Sequence, residues 1–269
     1  MNIMIIGHGF VGQAVDYAFV DYVKKIVDPK YGTNIDDDDL LHYDAIFVCV
    51  PTPMGIGGSV DTSILDSVLE QVKHHPTVIV KSTVTPDVIN KYDVIYNPEF
   101  LTERSAAEQF VSAKFHILGG DRNSTERVEE IYRLYSLCQH AEFLHMTAQE
   151  ASFVKYTINS FLATKVTFFN QLYDTVKDTD ANFNTIIKAV GMDSRIGISH
   201  TRVPGFDGKQ GYGGACFPKD TSAFAQYNNK LTLLEKCIII NNEYRSQYEL
   251  DDREKEQNVK YYGQTKEEQ

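Results

Sequence analysis

Asn2-Ile3-Met4-Ile5-Ile6-Gly7-His8-Gly9-Phe10-Val11-Gly12 decides the fold of the N-terminal half of this chain. Asn2 to Ile6 is a short apolar run, the pattern of a parallel strand buried on both faces. The three glycines follow at once, and the amphipathic segment Gln13 to Val20 follows them. Strand, glycine loop and helix in succession lift G-x-G-x-x-G above a chance match. Gly7 is read as the tight turn, Gly9 as the point where a pyrophosphate approaches the backbone, and Gly12 as the close contact of helix on strand. Backbone amides at Phe10 and Val11, with the helix dipole behind them, supply the phosphates with donors.

Working outward, Lys25-Ile26-Val27 leads to Asp28, 21 residues after Gly7. An acidic residue closing the second strand accepts hydrogen bonds from the adenosine ribose and repels a 2′-phosphate, so NAD is expected rather than NADP. Lys30 weakens that preference, and the competing reading of Asp28 is a turn residue before Pro29. A third strand, Ala45 to Val50, ends in Pro51-Thr52-Pro53. A glycine-rich loop occupies 54–60, and Asp61 caps a helix to about Lys73. Thr77 to Lys81 is a fourth strand, followed by Ser82-Thr83-Val84-Thr85-Pro86. Asp93 to Tyr96 is a fifth, ending in Asn97-Pro98-Glu99-Phe100-Leu101. Phe115 to Gly119 is a sixth, ahead of a charged helix from Ser124 to Tyr135. Strands alternating with helices imply an α/β fold with a doubly wound parallel sheet. Ligands bind at the carboxyl ends of such strands, where Ser82, Thr83 and Glu99 fall. Pro51, Thr52 and Thr83 are assigned to the cofactor. Asp36–Asp39 reads as a solvated helix start and not a metal site, because consecutive helical positions diverge.

Thr147-Ala148-Gln149-Glu150 is a capping box, opening a helix to about Lys177. Its apolar positions, among them Phe153, Ile158, Phe161, Leu162, Val166, Phe169 and Leu172, cover more than one side. A helix so covered is buried broadly or shared with a second subunit. Lys155 and Asn159 are four apart and share a face with Ile158 and Leu162, so both polar groups need partners. Gly211-Tyr212-Gly213-Gly214-Ala215-Cys216-Phe217-Pro218-Lys219-Asp220 is an unusual setting for a cysteine. The glycines let the backbone approach a ligand, and Lys219 favours the nucleophilic thiolate. A glycine turn holding a small buried cysteine is the plainer alternative.

The totals narrow the classes. The 269 residues are 42% hydrophobic and 23% charged, as in a soluble globular protein. A net charge of −11 argues against nucleic acid or an anionic membrane as partner. Cys49, Cys138, Cys216 and Cys237 fit no zinc spacing and are too sparse for a disulfide framework, which points to a reducing compartment. No signal peptide is read ahead of Ile3 and no apolar run is long enough for a bilayer, so a cytoplasmic location is expected.

In this order, the glycine loop and Asp28, Val50-Pro51-Thr52-Pro53, Lys81-Ser82-Thr83-Val84, Asn97-Pro98-Glu99-Phe100-Leu101, Lys155-x-x-x-Asn159-Ser-Phe-Leu-Ala163 and the cysteine segment resemble the UDP-glucose/GDP-mannose dehydrogenase family. The resemblance covers about residues 1–245. It implies a Rossmann-like NAD-binding domain at 1–146, a helical central domain at 147–249 that dimerises through 147–177, and a polar tail at 250–269. It implies oxidation of a nucleotide sugar by two NAD, UDP-glucose foremost, with GDP-mannose or UDP-N-acetylmannosamine as alternatives. By the same resemblance Cys216 captures the aldehyde and carries a thioester. Lys155 and Asn159 stabilise an oxyanion, Asp220 and Thr83 order a water, and Glu99 assists hydrolysis. Phe100, Leu101, Gly211, Tyr212, Gly213 and Gly214, with Glu99, Lys155 and Asn159, border the substrate, and Lys219 joins the cofactor contacts.

The sequence departs from the family in three places. It ends about 50 residues after Cys216, too short a stretch for the family's second nucleotide-binding domain of roughly 100–150 residues. Ala45 comes only 17 positions after Asp28, where a longer helical excursion is usual. The loop 203–210 ahead of the cysteine segment is long, and its Lys209 is either a phosphate contact or an exposed loop lysine. A non-catalytic NAD-binding homologue and a two-electron β-hydroxyacid dehydrogenase are the readings from other classes.

Overall fold

The structure, a computed structural model, describes residues 1–35 and 37–261. Asp36 of the acidic run at 36–39 therefore falls outside the described residues, as does the end of the polar tail, 262–269. The chain divides into two units: Met1–Thr52 with Asp61–Lys155, and Pro53–Val60 with the chain from Tyr156 onward.

The first unit is a seven-stranded sheet among the described residues, in the order β2-β1-β3-β4-β5-β6-β7. Its strands are β1 (Asn2–Ile6), β2 (Val23–Val27), β3 (Ala45–Val48), β4 (Val78–Val80), β5 (Ile95–Tyr96), β6 (Phe115–Gly119) and β7 (Glu142–Met146). Helices α1 (Phe10–Ala18), α2 (Ser63–Val72), α3 (Pro86–Ile89), α4 (Ala106–Val111) and α5 (Arg122–Tyr135) connect them. Ile3, Met4, Ile5 and Ala45 to Val48 are fully buried, which is why these strands read as unbroken apolar runs. Side chains of α1 (Ala14, Val15, Ala18) and α5 (Val128, Ile131, Tyr132) complete the core with Ile3, Ile5 and Phe47.

Three features differ from the sequence expectation. β6 runs antiparallel to β5, joined through Tyr96 and Gly119, and β7, not anticipated, is parallel to β6. Helix α4, between β5 and β6, has six residues. β6 starts beside the edge where β5 ends, with Phe115 tilted against Phe100 at 5.9 Å between ring centroids. Second, the short stretch from Asp28 to Ala45 forms 3-10 turns at Pro29–Tyr31 and Asp37–His42, with no α-helix or added strand among its described residues. β2 is left as the sheet edge, and Val23 is 67% exposed.

Third, the first compact unit extends to Lys155. The helix α6 (Ala148–Lys177) is continuous for 30 residues, and its first turns belong to the sheet. Ser152 Oγ donates to the Val84 carbonyl at 2.7 Å, and Gly119 lies so close to Ala148 and Ala151 that a side chain would not fit. The capping box is present: Glu150 accepts from both the amide and hydroxyl of Thr147, and Thr147 Oγ1 accepts from the Glu150 amide.

The second unit contains the rest of α6, α7 (Phe183–Val190), α8 (Phe217–Tyr227), α9 (Thr232–Arg245) and α10 (Asp252–Glu256). Phe169, Val176, Phe183, Ile187 and Val203 form one core. Tyr156, Ala223, Phe224 and Leu234 form another, with Tyr156 stacked on Phe224 at 5.3 Å. The polar stretch after residue 250, expected as a frayed end or tail, is folded through 261. Asp251 and Glu254 make a capping box for α10, while Glu254 and Val259 are buried. Glu254 is paired with Arg245 within the unit, which composition does not reveal.

Candidate functional site

In the first unit, the loop after β1 is shaped as the glycine pattern requires. Gly7 has φ +88°, and a Cβ there would stand 2.7 Å from the Cys49 carbonyl oxygen. A Cβ at Gly12 would overlap the carbonyl of Gly7. At Gly9, nothing described lies within 4 Å of where a Cβ would stand. α1 begins at Phe10 with no side-chain cap on its first amides. Asp28, ending β2, accepts from the His8 amide at 2.7 Å and the Lys30 amide at 2.9 Å. Burial works to raise its pKa, but those two amides outweigh it and hold the carboxyl below its usual value. Asp28 caps a turn, as its plainer reading has it, and its carboxylate lies beside the glycine loop. An open approach at Gly9, uncapped amides on a nine-residue helix and an anionic group at the end of β2 fit NAD.

Further along the same sheet edge, Thr52 Oγ1 donates to the Thr83 carbonyl at 2.7 Å, and Ser82 Oγ to the Val50 carbonyl at 2.7 Å. These bonds tie the ends of β3 and β4 together and place Pro51, Thr52 and Thr83 on one edge. Glu99, after β5, is buried. Its Oε2 accepts from the Leu101 amide at 2.6 Å. Lys155 donates to the Glu99 carbonyl at 2.5 Å and lies 3.3 Å from Oε1. The ammonium also sits 5.4 Å from the Phe100 ring centroid. Glu99, Phe100, Leu101 and Lys155, separated by up to 56 positions, are therefore one cluster.

Beside it is a cluster that the sequence reading did not single out. Lys81, 2% exposed, donates to the Asn97 carbonyl at 3.1 Å and to its Oδ1 at 2.8 Å. Tyr132 donates to the same Oδ1 at 2.8 Å. Burial pushes the Lys81 ammonium down to about 8. The available signal was a lysine closing the apolar strand Thr77 to Lys81, a position that demands a buried partner.

In the second unit, Cys216 is the N-cap of α8 and is partly exposed. The Asp220 amide donates to its carbonyl at 2.9 Å. The Asp220 carboxylate is 1% exposed; Oδ2 accepts from Asn159 Nδ2 at 2.6 Å, and Oδ1 from Lys219 Nζ at 2.7 Å. Asn159, Lys219 and Asp220 thus form one network a turn below Cys216. Lys209 donates to the Glu249 carbonyl at 2.6 Å, so its ammonium is engaged within the loop region.

The glycine segment before Cys216 is fastened at Gly211, Tyr212 and Gly214. The Gly211 amide donates to Asn170 Oδ1 at 3.0 Å. The Tyr212 amide donates to Asn241 Oδ1 at 2.6 Å, and Asn241 Nδ2 returns a bond to the Tyr212 carbonyl at 3.0 Å. The Gly214 amide donates to Glu254 Oε1 at 3.1 Å. The Tyr212 side chain, expected against substrate, is buried with its hydroxyl 3.3 Å from Thr221 Oγ1, and burial pushes its phenol well up. Gly211 and Gly213 face Asn241, Arg245 and Glu254, so packing by itself requires glycine there. Asn170, Asn241, Arg245 and Glu254 were not anticipated; the legible hints were two asparagines inside helices and an Asp-x-x-Glu box at 251–254.

Residues 19–136 match the NAD binding domain of the UDP-glucose/GDP-mannose dehydrogenase family, and residues 149–243 match that family's central domain. The chain belongs to the UDP-glucose/GDP-mannose dehydrogenase family, and its first unit carries the family's NAD-binding domain. It is 32% identical over 206 residues to the UDP-glucose 6-dehydrogenase of Rickettsia conorii, covering 71% of this chain and 46% of that protein. A UDP-glucose dehydrogenase structure from the hyperthermophilic archaeon Pyrobaculum islandicum superposes with a TM-score of 0.75 at 26% identity, over 90% of this chain and 68% of that one. A UDP-D-ManNAc dehydrogenase from Pyrococcus horikoshii gives 0.76 at 20% identity, over 92% and 69%, a likeness of fold. The chain spans about half the length of the curated relatives it matches. Among the described residues, no helix is long and apolar enough to cross a membrane and no group of metal-binding side chains converges.

Proposed function

We propose that this chain carries the catalytic core of an NAD-dependent nucleotide-sugar dehydrogenase, oxidising the sugar primary alcohol of UDP-glucose to a carboxylate through a cysteine-bound thioester. The observation that carries the reading is the Asn159–Asp220–Lys219 network placed one helical turn from a partly exposed cysteine at a helix N-terminus. A helix N-terminus favours thiolate over thiol, and a fixed, buried carboxylate beside a nucleophile is costly to a fold that has no use for it.

NAD, when bound, supplies the two-electron acceptor for each of two oxidations. The glycine loop and Asp28 hold it. The alcohol, losing two electrons and two protons, becomes an aldehyde. The Cys216 thiolate adds to the aldehyde carbon, forming a C–S bond and an alkoxide. Lys155 donates to that oxygen and lowers the cost of its charge, with the Asn159 amide as second donor. A second two-electron oxidation turns the thiohemiacetal into a thioester. Water, ordered by Asp220 and Thr83 and deprotonated with help from Glu99, adds to the carbonyl. The C–S bond breaks and the thiol is regenerated. Covalent capture keeps the aldehyde from escaping between the two oxidations. Phe100, Leu101 and the segment 211–214 border the substrate in this reading, and Lys219 assists the cofactor.

The 32% identical relative is a UDP-glucose 6-dehydrogenase, which favours UDP-glucose over GDP-mannose or UDP-N-acetylmannosamine. One α6 face exposes Phe161 at 67% and Phe168 at 59%, which supports a homodimer through 147–177; sedimentation velocity showing a monomer at micromolar concentration would remove that element. The test of the reaction is stoichiometry: each of the three sugars with NAD, counting NADH per sugar consumed. Two NADH from UDP-glucose is expected. One NADH, with aldehyde released, indicates two-electron chemistry. No NADH from any of the three refutes an active core, as would full activity in Cys216→Ala for the covalent route.

A further inference from the structure

We infer that Glu254 is a positioning residue for the loop that carries Cys216, and that residues 250–261 are the clamp that holds it, an inference resting on the reading of Cys216 as nucleophile. Glu254 is fully buried. Its Oε1 accepts three donors: the Gly214 amide at 3.1 Å, Arg245 Nη2 at 2.7 Å and the Tyr261 hydroxyl at 2.7 Å. Its Oε2 accepts the Asp251 amide at 2.9 Å. Arg245, 1% exposed, extends its other arm to Asp207 Oδ2 at 2.7 Å, in the loop that leads into the cysteine segment. One guanidinium and two carboxylates thus brace both ends of the stretch from Asp207 to Gly214.

The fit is close. A Cβ on Gly213 would overlap the Arg245 guanidinium, and Gly214 has φ +79°, a conformation that glycine adopts without strain. The peptide between Gly213 and Gly214 is therefore pressed on the guanidinium and hydrogen-bonded to its counter-ion. Cys216 follows two residues later as the N-cap of α8. Buried ion pairs contribute little net stability, because desolvation offsets their attraction, but they select one geometry. The geometry selected here is that of the last fastened peptide before the thiol. Asn170 and Asn241 fasten the preceding two residues, so Glu254 controls the end nearest the cysteine.

The experiment uses the full chain and the variants Glu254→Ala, Glu254→Gln and Tyr261→Phe. Deuterium uptake is followed in peptides covering 211–216 and 183–190. Alkylation of Cys216 by iodoacetamide near pH 8 is followed by peptide mass spectrometry, with Cys216→Ser as blank. Burial pushes the Cys49 and Cys138 thiols up to about 12 and about 11, so they compete little at that pH. Glu254→Ala is expected to speed exchange in 211–216 about tenfold, the loss of a bond to a charged acceptor, and to change Cys216 alkylation by about threefold or more. The 183–190 peptide is expected to stay at its wild-type rate. Glu254→Gln, which keeps an oxygen for Gly214, is expected to restore most of both readouts. Should Glu254→Ala not fold, Tyr261→Phe is expected to shift both in the same direction by about threefold. Wild-type exchange in 211–216, equal acceleration in both peptides, or no recovery in Glu254→Gln overturns the inference. Neither readout needs turnover. A wild-type chain that forms no NADH yet shows these local differences refutes the dehydrogenase reading and sustains the clamp.

Discussion

Lys155→Met separates what the Lys155–Glu99 pair does for stability from what it does for chemistry. The two side chains are 3% and 6% exposed. The substitution keeps length and apolar bulk but removes the ammonium 2.5 Å from the Glu99 carbonyl and 3.3 Å from Oε1. Glu99 keeps the bond from the Leu101 amide and loses its counter-ion. Stranding one member of a buried pair costs 3–5 kcal/mol. The 3.3 Å separation is long for a direct bond, which puts this case at the low end, about 3 kcal/mol. Glu99→Gln in the same chain removes the stranded charge and should return about 2 kcal/mol, a coupling within the range for residues in contact. Urea unfolding of wild type, both singles and the double, at one pH and with matched m-values, measures the cycle. Turnover follows a different course. Under the proposed reaction, loss of the Lys155 oxyanion donor should lower kcat by about 10²–10³, and the double variant, which also lacks the proposed base Glu99, should be at least as slow as Lys155→Met. Stability that returns while activity does not identifies a pair retained for its chemistry. A double variant no more stable than Lys155→Met would refute the argument from a stranded carboxylate.

Gly12→Ala places a methyl against the Gly7 carbonyl and should cost about 1–3 kcal/mol and weaken NAD; a thermal melt with and without NAD reads both. Asp28→Asn should flatten the acid limb of stability. The folded pKa of Asp28 is lowered, so its contribution is present above the unfolded value and lost as pH falls through the folded one; urea midpoints compared between pH 5 and pH 3 show it. Lys81 works in the opposite sense. Its folded pKa of about 8, from burial, lies below the ordinary 10.5, so the folded state resists a proton that the unfolded state keeps. Stability from this group rises with pH between those values, by about 2 kcal/mol from pH 7 to 9.5. Lys81→Met should lack that rise in urea titrations, and an identical pH slope in both proteins would show that Lys81 carries no such penalty.

Local signals fixed the parts of the fold that local chemistry determines. The glycine loop, the capping box at Thr147 and the apolar strands each satisfy a requirement within a few residues, and each is where the sequence placed it. The antiparallel entry of β6 was not legible, because Phe115 to Gly119 reads the same in either direction. The exposed edge at β2 was half legible. The short interval from Asp28 to Ala45 announced a missing excursion, but the consequence, Val23 facing solvent, depends on which strand lies outermost.

The site shows the same division more sharply. Cys216, Lys155, Asn159, Glu99 and Asp220 were singled out as candidates because their motifs place unusual residue types together. Their partners escaped, because a partner is chosen by distance in space. Arg245 and Glu254 sit in a stretch dense in charge, and counting charges assigns such a stretch to solvent. Yet each cancels the other in the interior, and the cancellation is what lets Gly213 and Gly214 lie against them. Those glycines looked like room left for a ligand. Gly211 and Gly213 turn toward Asn241, Arg245 and Glu254, so the loop's freedom is spent on being held, and under the proposed reaction Cys216, two residues from a fastened peptide, would have fewer orientations to lose on meeting its substrate.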